Sequence, residues 1–251
     1  MISKNRIKLI RSLELKKFRK QEGLFVAEGP KLVGELMQAF PLSYVAATAA
    51  WLAQWQHTFP SHTEVDHVNN EELKRASLLQ HPQEVIALFE IPQSTCSLTK
   101  IAEQELVLAL DGVQDPGNLG TIIRLADWFG IGHIFCSSDC TDIFNPKAVQ
   151  ASMGAIARVQ VHYIDLEMEL SAFQGPIYGT HLDGENLYQQ KLSQTGVIIM
   201  GNEGKGISAG VSQKVNSRLY IPTYPSSRQA VESLNVAMAT AIVCAEFRRR
   251  S

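Results

Sequence analysis

The chain has 251 residues, of which 45% are hydrophobic and 19% charged, and its formal net charge at pH 7 is −2. This balance is typical of a water-soluble globular protein, and no stretch approaches the ~20 continuous apolar residues of a membrane span. The basic N-terminus lacks the compact apolar segment of a signal peptide. We therefore expect a cytoplasmic protein that does not contact membranes.

Residues 1–95 alternate helical and extended patterns. Apolar residues at helical spacing predict a first helix over residues 4–20. Strands are expected at 24–29, 44–49, 63–68 and 84–90, with helices from Pro30 and over 69–79, where Asn69 or Asn70 is a plausible cap. This alternation predicts a small α/β domain over residues 1–95.

The polar, aperiodic segment 96–105 is predicted to be a linker. Beyond it, the nearly all-apolar run 106–113 is typical of a strand covered on both faces. Further strands are expected at 131–137, 159–164, 176–182, 196–203 and 218–222, with helices starting near Asn118, Asn145 and Ile207 and a last helix over 233–247. Residues 106–251 are therefore predicted to form a second α/β domain.

Charge is unevenly distributed along the chain. Residues 1–20 hold eight basic side chains against the single acid Glu14. A localised basic segment on an otherwise acidic chain suggests a polyanion partner, whereas the alternative is a solvated helix face. The candidate phosphate contacts are Lys4, Arg6, Lys8, Arg11, Lys16 and Lys17.

The four cysteines are widely scattered, and two of them, Cys136 and Cys140, are four residues apart. This is not a C-x-x-C spacing and no His-x3-His pair accompanies it, so no metal site is predicted. We expect reduced thiols, with Cys244 in the core. The seven histidines show no triad or metal spacing.

The segment LDGVQDPGNLGTIIR runs from the strand 106–113 into a turn and a helix, where α/β proteins place ligands. Its glycines match neither the dinucleotide fingerprint nor the phosphate P-loop. The polar content is N-x-G-x3-R, with Asn118 as a candidate helix cap whose amide faces a ligand, and Arg124 as a fixed charge. In the alternative, Asn118 is only a cap, and Arg124 pairs with Asp127 or Asp111.

Two further polar clusters follow predicted strands. GNEGKG at 201–206 places Glu203 among three glycines, which indicate tight turns, although a glycine-rich surface turn would look the same. In the other cluster, Ile221-Pro222 ends a strand, and Ser233 and Asn235 open the last helix, where capping is the simple explanation.

Taken in order, the three clusters resemble the three signature motifs of the SpoU (TrmH-type) RNA 2′-O-methyltransferases, over about residues 104–248. The patterns that carry the resemblance are N-x-G-x3-R, G-N-E-G-x-G and I-P…S-L-N-V-A-x-A. FVAEGPKLVGELM and HPQEVIALFE resemble the accessory RNA-binding domain of many members, which is similar to a small ribosomal-protein fold. The resemblance implies a parallel-sheet catalytic domain with a deep trefoil knot, and a homodimer. It also implies methyl transfer from S-adenosylmethionine to a ribose 2′-hydroxyl without a metal, with ribosomal RNA favoured over transfer RNA.

The resemblance assigns roles residue by residue. The implied catalytic residues are Asn118, Arg124, Glu203, Ser233 and Asn235. The implied cofactor contacts are Gly201, Asn202, Gly204, Ile221 and Leu234, and the six basic N-terminal residues become RNA contacts. The loop 223–232 is longer than the family's and lacks glycine, so its conformation is not predicted.

Other functions stay open at this point. Relatives of the same fold methylate bases, and a homologue could bind RNA without activity. A dehydrogenase-type nucleotide enzyme is disfavoured because G-x-G-x-x-G is absent. Arg124 could act as a general base or as an electrostatic stabiliser, and the fixed positive charge of a free guanidinium favours the second role.

Overall fold

The computed structural model describes residues 1–92, 96–225 and 233–249, which form two compact units. Among these residues, one unit comprises those at 1–92 and 142–158, and the other unit comprises the remainder. The segment 142–158 thus packs with the N-terminal unit, whereas the alternating pattern placed it in the second domain.

The described residues form ten strands and eleven α-helices, numbered in chain order. The strands are β1 (Leu24–Glu28), β2 (Leu42–Ala47), β3 (Glu64–His67), β4 (Val85–Glu90), β5 (Leu106–Asp111), β6 (His133–Cys136), β7 (Gln160–Tyr163), β8 (Ile177–Asn186), β9 (Gly196–Gly201) and β10 (Ser217–Tyr220). The helices are α1 (Lys4–Ser12), α2 (Lys16–Glu22), α3 (Pro30–Leu36), α4 (Ala49–Trp55), α5 (Asn70–Ala76), α6 (Leu98–Ala102), α7 (Pro116–Trp128), α8 (Pro146–Ser152), α9 (Leu166–Ala172), α10 (Ala209–Ser212) and α11 (Val236–Arg249). Among these residues, no helix combines the length and apolarity needed to cross a membrane.

The N-terminal unit is built on a four-stranded mixed sheet in the order β1-β4-β2-β3. Strand β4 runs antiparallel to both β1 and β2, and β3 runs parallel to β2. Helix α5 begins at the predicted cap, because the Asn69 side chain accepts from the Glu72 N–H and the Glu72 carboxylate accepts from the Asn69 N–H. The expected α/β architecture of this unit is present.

The predicted single helix over residues 4–20 is interrupted between α1 and α2. The guanidinium of the buried Arg19 donates to the carbonyl oxygens of Leu13 and Glu14 at 2.7 and 2.8 Å, and pairs with Asp142 at 2.6 Å. The carbonyl groups freed at the break are thereby satisfied. The ion pair also ties residues 142–158 to this unit, which explains their place in it.

The C-terminal unit contains a six-stranded sheet in the order β10-β8-β9-β5-β6-β7. All of its strand pairs are parallel, so the expected parallel-sheet α/β class is confirmed. Every residue of β5 and β9 is buried, as the apolar runs predicted. Helices α7 and α11 pack against each other and contact β6 and β9, respectively. The backbone knot stays a prediction.

Part of the predicted linker is helical. Leu98 and Ala102 of α6 are fully buried in the core that includes Leu170 of α9, so this segment belongs to the C-terminal unit. Helices α4 and α9 have no counterpart in the sequence predictions, although Thr48 and Asp165 cap them and were available as start signals. Cys244 is buried in α11, as expected.

Candidate active site

The turn after β5 is shaped by one glycine and one acidic cap. Gly112 has a φ of +73°, which favours glycine, and its N–H donates to Ser137 Oγ at 2.9 Å. Asp115 caps α7 by accepting from the N–H of Asn118 at 2.7 Å, and Pro116 occupies the first turn. The prediction that Asn118 caps this helix is wrong, because Asp115 takes that position.

The Asn118 side chain is therefore available to connect the three motifs. Its Nδ2 donates to Glu203 Oε1 at 3.0 Å, and its Oδ1 accepts from Asn235 Nδ2 at 3.0 Å. Asn235 Oδ1 accepts from the N–H groups of Ala237 and Met238 and so caps α11. Because the cap fixes the Asn235 amide, each amide in the line has only one productive orientation.

The Glu203 carboxylate is held at this junction by several donors. Besides Asn118, the N–H groups of Asp115 and Gln114 donate to it at 3.2 and 3.4 Å. Burial acts to raise the pKa of Glu203, but the hydrogen bonds from the Asn118 side chain and from nearby backbone N–H groups together hold that pKa below its ordinary value. Glu203 is therefore a carboxylate at neutral pH and an acceptor only.

The turn after β9 is closed by Asn202 and by a close backbone approach. Asn202 Nδ2 donates to the Gly112 carbonyl at 2.7 Å, and its Oδ1 accepts from the N–H groups of Gly204 and Lys205 at 3.0 Å each. A Cβ on Gly201 would lie 2.3 Å from the Gly206 carbonyl carbon. Asn202 thus joins the first and second motifs, and Gly201 is required by packing.

A cavity of about 340 Å³ opens beside this junction, within the size range of small-molecule sites. All five predicted cofactor contacts line it, together with Glu203 and Ser233. Residues 226–232 of the long loop lie outside the described residues. Asn118, Arg124 and Asn235 do not belong to the cavity lining.

The lining suits S-adenosylmethionine chemically. Apolar side chains, including Leu219, Ile221 and Leu234, offer walls for a flat base, and the glycine-rich turn 201–206 offers backbone donors and acceptors. Sequence reasoning missed the contribution of β8, whose Thr180 and His181 also line the cavity. No motif marks that strand, so the sequence held no signal for it.

Helix α7 presents Arg124 on its exposed face. Within the described part of the chain, Arg124 makes neither a hydrogen bond nor an ion pair, so the pairing with Asp127 or Asp111 considered from the sequence is not formed. Asp111 instead accepts from the Ser208 N–H at 2.6 Å. The guanidinium is therefore available to an external anion.

The six basic residues predicted to contact RNA divide into two groups. Arg6 is half-buried, pairs with Glu64, and stacks its guanidinium 4.3 Å from the centre of the Tyr44 ring. The other five are exposed: Lys4, Lys8, Arg11, Lys16 and Lys17. Arg6 is thus engaged in the fold of the N-terminal unit, which its sequence position did not indicate.

Comparison with known proteins matches both units. A sequence model of the SpoU rRNA Methylase family covers residues 105–245, and one of the MRM3-like substrate binding domain covers residues 4–87. Over 254 aligned residues, 97% of this chain is matched at 31% identity to 96% of the 23S rRNA (guanosine(2553)-2′-O)-methyltransferase of Bacillus subtilis.

Two solved structures are similar in fold to this protein over the whole chain. One is a Porphyromonas gingivalis protein assigned to the TrmH family of RNA methyltransferases, with 43% identity, a TM-score of 0.90 and 100% of both chains covered. Another is the AdoMet-bound rRNA methyltransferase of Sinorhizobium meliloti, with 28% identity, a TM-score of 0.86, and 100% of this chain and 97% of that chain covered.

Proposed function

The chain belongs to the SpoU rRNA methylase family and is an S-adenosylmethionine-dependent RNA 2′-O-methyltransferase, and we propose that it modifies a guanosine of large-subunit ribosomal RNA. Support for the nucleotide comes from two similar proteins, one from Bacillus subtilis and one from Neisseria meningitidis, which are both named 23S rRNA guanosine 2′-O-methyltransferases. The structural observation that supports the catalytic site is the hydrogen-bonded line Asn235–Asn118–Glu203 beside the cavity.

The reaction gives a role to the exposed arginine Arg124, which lies on the same helix as Asn118. A ribose 2′-hydroxyl is a weak nucleophile, because almost none of it is ionised at neutral pH. When bound, S-adenosylmethionine supplies a methyl group on a cationic sulfur. The protein must then hold the hydroxyl in line and stabilise the alkoxide charge as it develops.

Arg124 is suited to that task. A guanidinium can grip a neighbouring phosphate with two parallel hydrogen bonds while presenting positive charge to the ribose oxygen. Because a guanidinium carries a fixed positive charge and offers only donors, we assign Arg124 electrostatic stabilisation and substrate positioning rather than proton abstraction. Asn118 and Glu203 hold the turn from which α7 projects, and Ser233 lines the cavity beside them.

We also propose a homodimer and an RNA-binding role for the N-terminal unit. Trp128 of α7 is 84% exposed and Met238 of α11 is 59% exposed, and large exposed apolar side chains on two packed helices suit a contact between copies. The exposed basic residues of α1 and α2 would add phosphate contacts, which give affinity without sequence information. A ribosomal RNA substrate would place the protein in the cytoplasm.

The proposal is tested by incubating the protein with labelled S-adenosylmethionine and unmodified ribosomal or transfer RNA, then digesting the RNA to nucleosides. We expect label in 2′-O-methylguanosine from large-subunit RNA. Label in a methylated base would overturn the 2′-O chemistry, and label in transfer RNA alone would overturn the substrate. No label, with cofactor binding intact by calorimetry, would favour an RNA-binding protein without activity.

A further inference from the structure

Three side chains without a role in methyl transfer meet in the C-terminal unit. Cys96 precedes α6, His133 begins β6, and His162 lies in β7. Strands β6 and β7 are parallel neighbours in which Phe135 is paired with His162, so the two histidines lie on the same face of the sheet. None of the three lines the cavity beside Glu203.

The donor atoms of these residues lie close together. The Cys96 sulfur and one ring nitrogen from each histidine are all within 4.8 Å of one another, and His133 Nδ1 is 3.2 Å from His162 Nε2. A tetrahedral zinc ion, with bonds of about 2.0–2.1 Å to nitrogen and about 2.3 Å to sulfur, sets its ligand atoms roughly 3.3–3.6 Å apart. The histidine pair, at 3.2 Å, is close to the lower end of that range, and a shift of at most about 1.5 Å brings the thiol into it.

We propose that Cys96, His133 and His162 form a binding site for one zinc-class transition metal ion. The set of one thiolate and two imidazoles is what a borderline-soft divalent ion prefers, and it disfavours magnesium and calcium, which take oxygen ligands. Binding releases the thiol proton to solvent, and a water molecule completes the four-coordinate shell.

The surroundings of His162 support the same assignment independently. Its side chain is only 4% exposed, it stacks on Phe135 with ring centres 4.9 Å apart, and its Nδ1 has no hydrogen-bond partner among the residues that the structure describes. A half-turn of the ring exchanges its two nitrogens, so either one can face the cluster.

The site would act as a cross-link rather than as part of the methyl-transfer machinery. It joins the segment before α6 to two adjacent strands of the sheet, and α6 packs in the core through Leu98 and Ala102. Because a metal that binds only the folded state stabilises it, the thermal midpoint should rise with zinc concentration. Affinity for S-adenosylmethionine should stay the same within about twofold, since none of the three residues lines the cavity.

The test uses the full chain, stripped with a chelator and titrated with cobalt(II). We expect saturation at one equivalent, with a sulfur-to-cobalt charge-transfer band, the strong visible bands of a tetrahedral site, and displacement by zinc. Cys96→Ser should abolish the charge-transfer band, and both Cys96→Ser and His162→Asn should weaken zinc binding by at least about tenfold. His81→Gln, which changes an exposed histidine elsewhere, should bind like the wild type.

Two results would overturn the proposal. Absence of the charge-transfer band at one equivalent in the wild-type protein would leave a hydrogen-bonded histidine pair beside a thiol and nothing more. Zinc affinity unchanged in Cys96→Ser would place the ion elsewhere. The wild-type titration needs no variant to fold, and circular dichroism of each variant separates loss of the site from loss of structure.

Discussion

Asn118 donates its side-chain amide to the Glu203 carboxylate at 3.0 Å, although 85 residues separate them in the chain. The same amide accepts from Asn235 across 117 residues. The three motifs therefore form one hydrogen-bonded unit rather than three adjacent contacts. A substitution at Asn118 should therefore disturb the hydrogen bonds of both Glu203 and Asn235.

Asn118→Asp should destabilise the protein by about 1–3 kcal/mol at pH 7. The variant replaces a donor with a second carboxylate against Glu203, and like charges at that distance repel. The loss cannot come from the helix, because an acidic residue in the first turn of α7 suits the helix dipole. Urea unfolding measures the effect.

The matched control is Asn145→Asp, which changes the cap of α8. Its side-chain oxygen accepts from the Lys147 N–H at 2.9 Å, and an aspartate can accept equally well. We expect its stability to change by less than about 0.5 kcal/mol. Equal losses in the two variants would contradict the special role of the Asn118–Glu203 contact.

The contribution of Glu203 to stability should depend on pH. The pKa of Glu203 is lowered in the folded state, so its stabilisation is fully present above the unfolded-state pKa of about 4.3 and is lost as pH falls through the folded-state value. Glu203→Gln should therefore be less stable than the wild type at pH 7, and the difference should shrink below about pH 4.3.

Unfolding in urea across this pH range provides the measurement. Glu103→Gln, which neutralises an exposed carboxylate in the same unit, serves as the control and should follow the wild type throughout. A difference between Glu203→Gln and the wild type that stays constant from pH 7 to pH 3.5 would mean that the glutamate acts by shape rather than charge.

Local pattern was enough to predict the α/β class and most strands, because buried runs such as β5 and β9 carry a strong signal. The residues that line the cavity were implied by the resemblance of three short motifs to those of the SpoU family, not by local pattern alone. The break between α1 and α2 was beyond it, because that break depends on Arg19 pairing with Asp142, far along the chain.

Two features of the C-terminal unit also differ from the sequence predictions, for different reasons. Asn118 was a candidate cap at the predicted start of the helix, yet Asp115 lies three residues earlier and accepts its N–H. The cluster of Cys96, His133 and His162 has no recognisable spacing, since parallel strands and a preceding segment bring its members together. The helix cap is thus a local contact within three residues, whereas contacts between residues far apart in the chain decided the cluster.

Gly201→Ala should lower stability markedly, whereas Gly204→Ala should not. At Gly201 an added Cβ would lie 2.3 Å from the backbone of Gly206 and Ile207, which cannot move without opening the turn. At Gly204 the nearest atom is Asn202 Oδ1 at 3.8 Å. We expect a loss of about 1–3 kcal/mol in the first variant and within about 0.5 kcal/mol in the second.

Chemical unfolding of the two variants side by side checks this expectation. Similar stabilities would show that the turn after β9 adapts to a methyl group. Cofactor affinity, measured by calorimetry, should fall in Gly201→Ala, because the turn that would shift lines the cavity.

Replacing the exposed basic residues should change RNA binding, whereas replacing Arg6 should change protein stability. Replacing Lys4, Lys8 and Arg11 together by glutamine should weaken RNA binding. It should also make the RNA-binding constant less sensitive to salt: the slope of its logarithm against the logarithm of salt concentration should become shallower by about 0.7 for each phosphate that the protein no longer neutralises. Arg6→Gln should leave the slope unchanged and lower stability by about 1 kcal/mol, because Arg6 pairs with Glu64 and stacks on Tyr44. Filter binding over a range of salt concentrations, with urea unfolding in parallel, distinguishes them. An unchanged slope in the triple variant would mean that α1 presents a solvated face and does not contact RNA phosphates.

Arg124→Ala should lower the rate of methyl transfer by at least about 100-fold, the usual cost of removing one group that stabilises developing negative charge. Affinity for S-adenosylmethionine should stay within a few fold, because Arg124 does not line the cavity. Arg124→Lys keeps the charge but loses the two parallel hydrogen bonds to a phosphate, so its rate should fall between those of Arg124→Ala and the wild type.

Lys100→Ala, at an exposed position on α6, serves as the control and should retain full activity. Single-turnover assays and calorimetry on the same preparations give both quantities, and a parallel loss of cofactor binding in Arg124→Ala would make this arginine a structural residue.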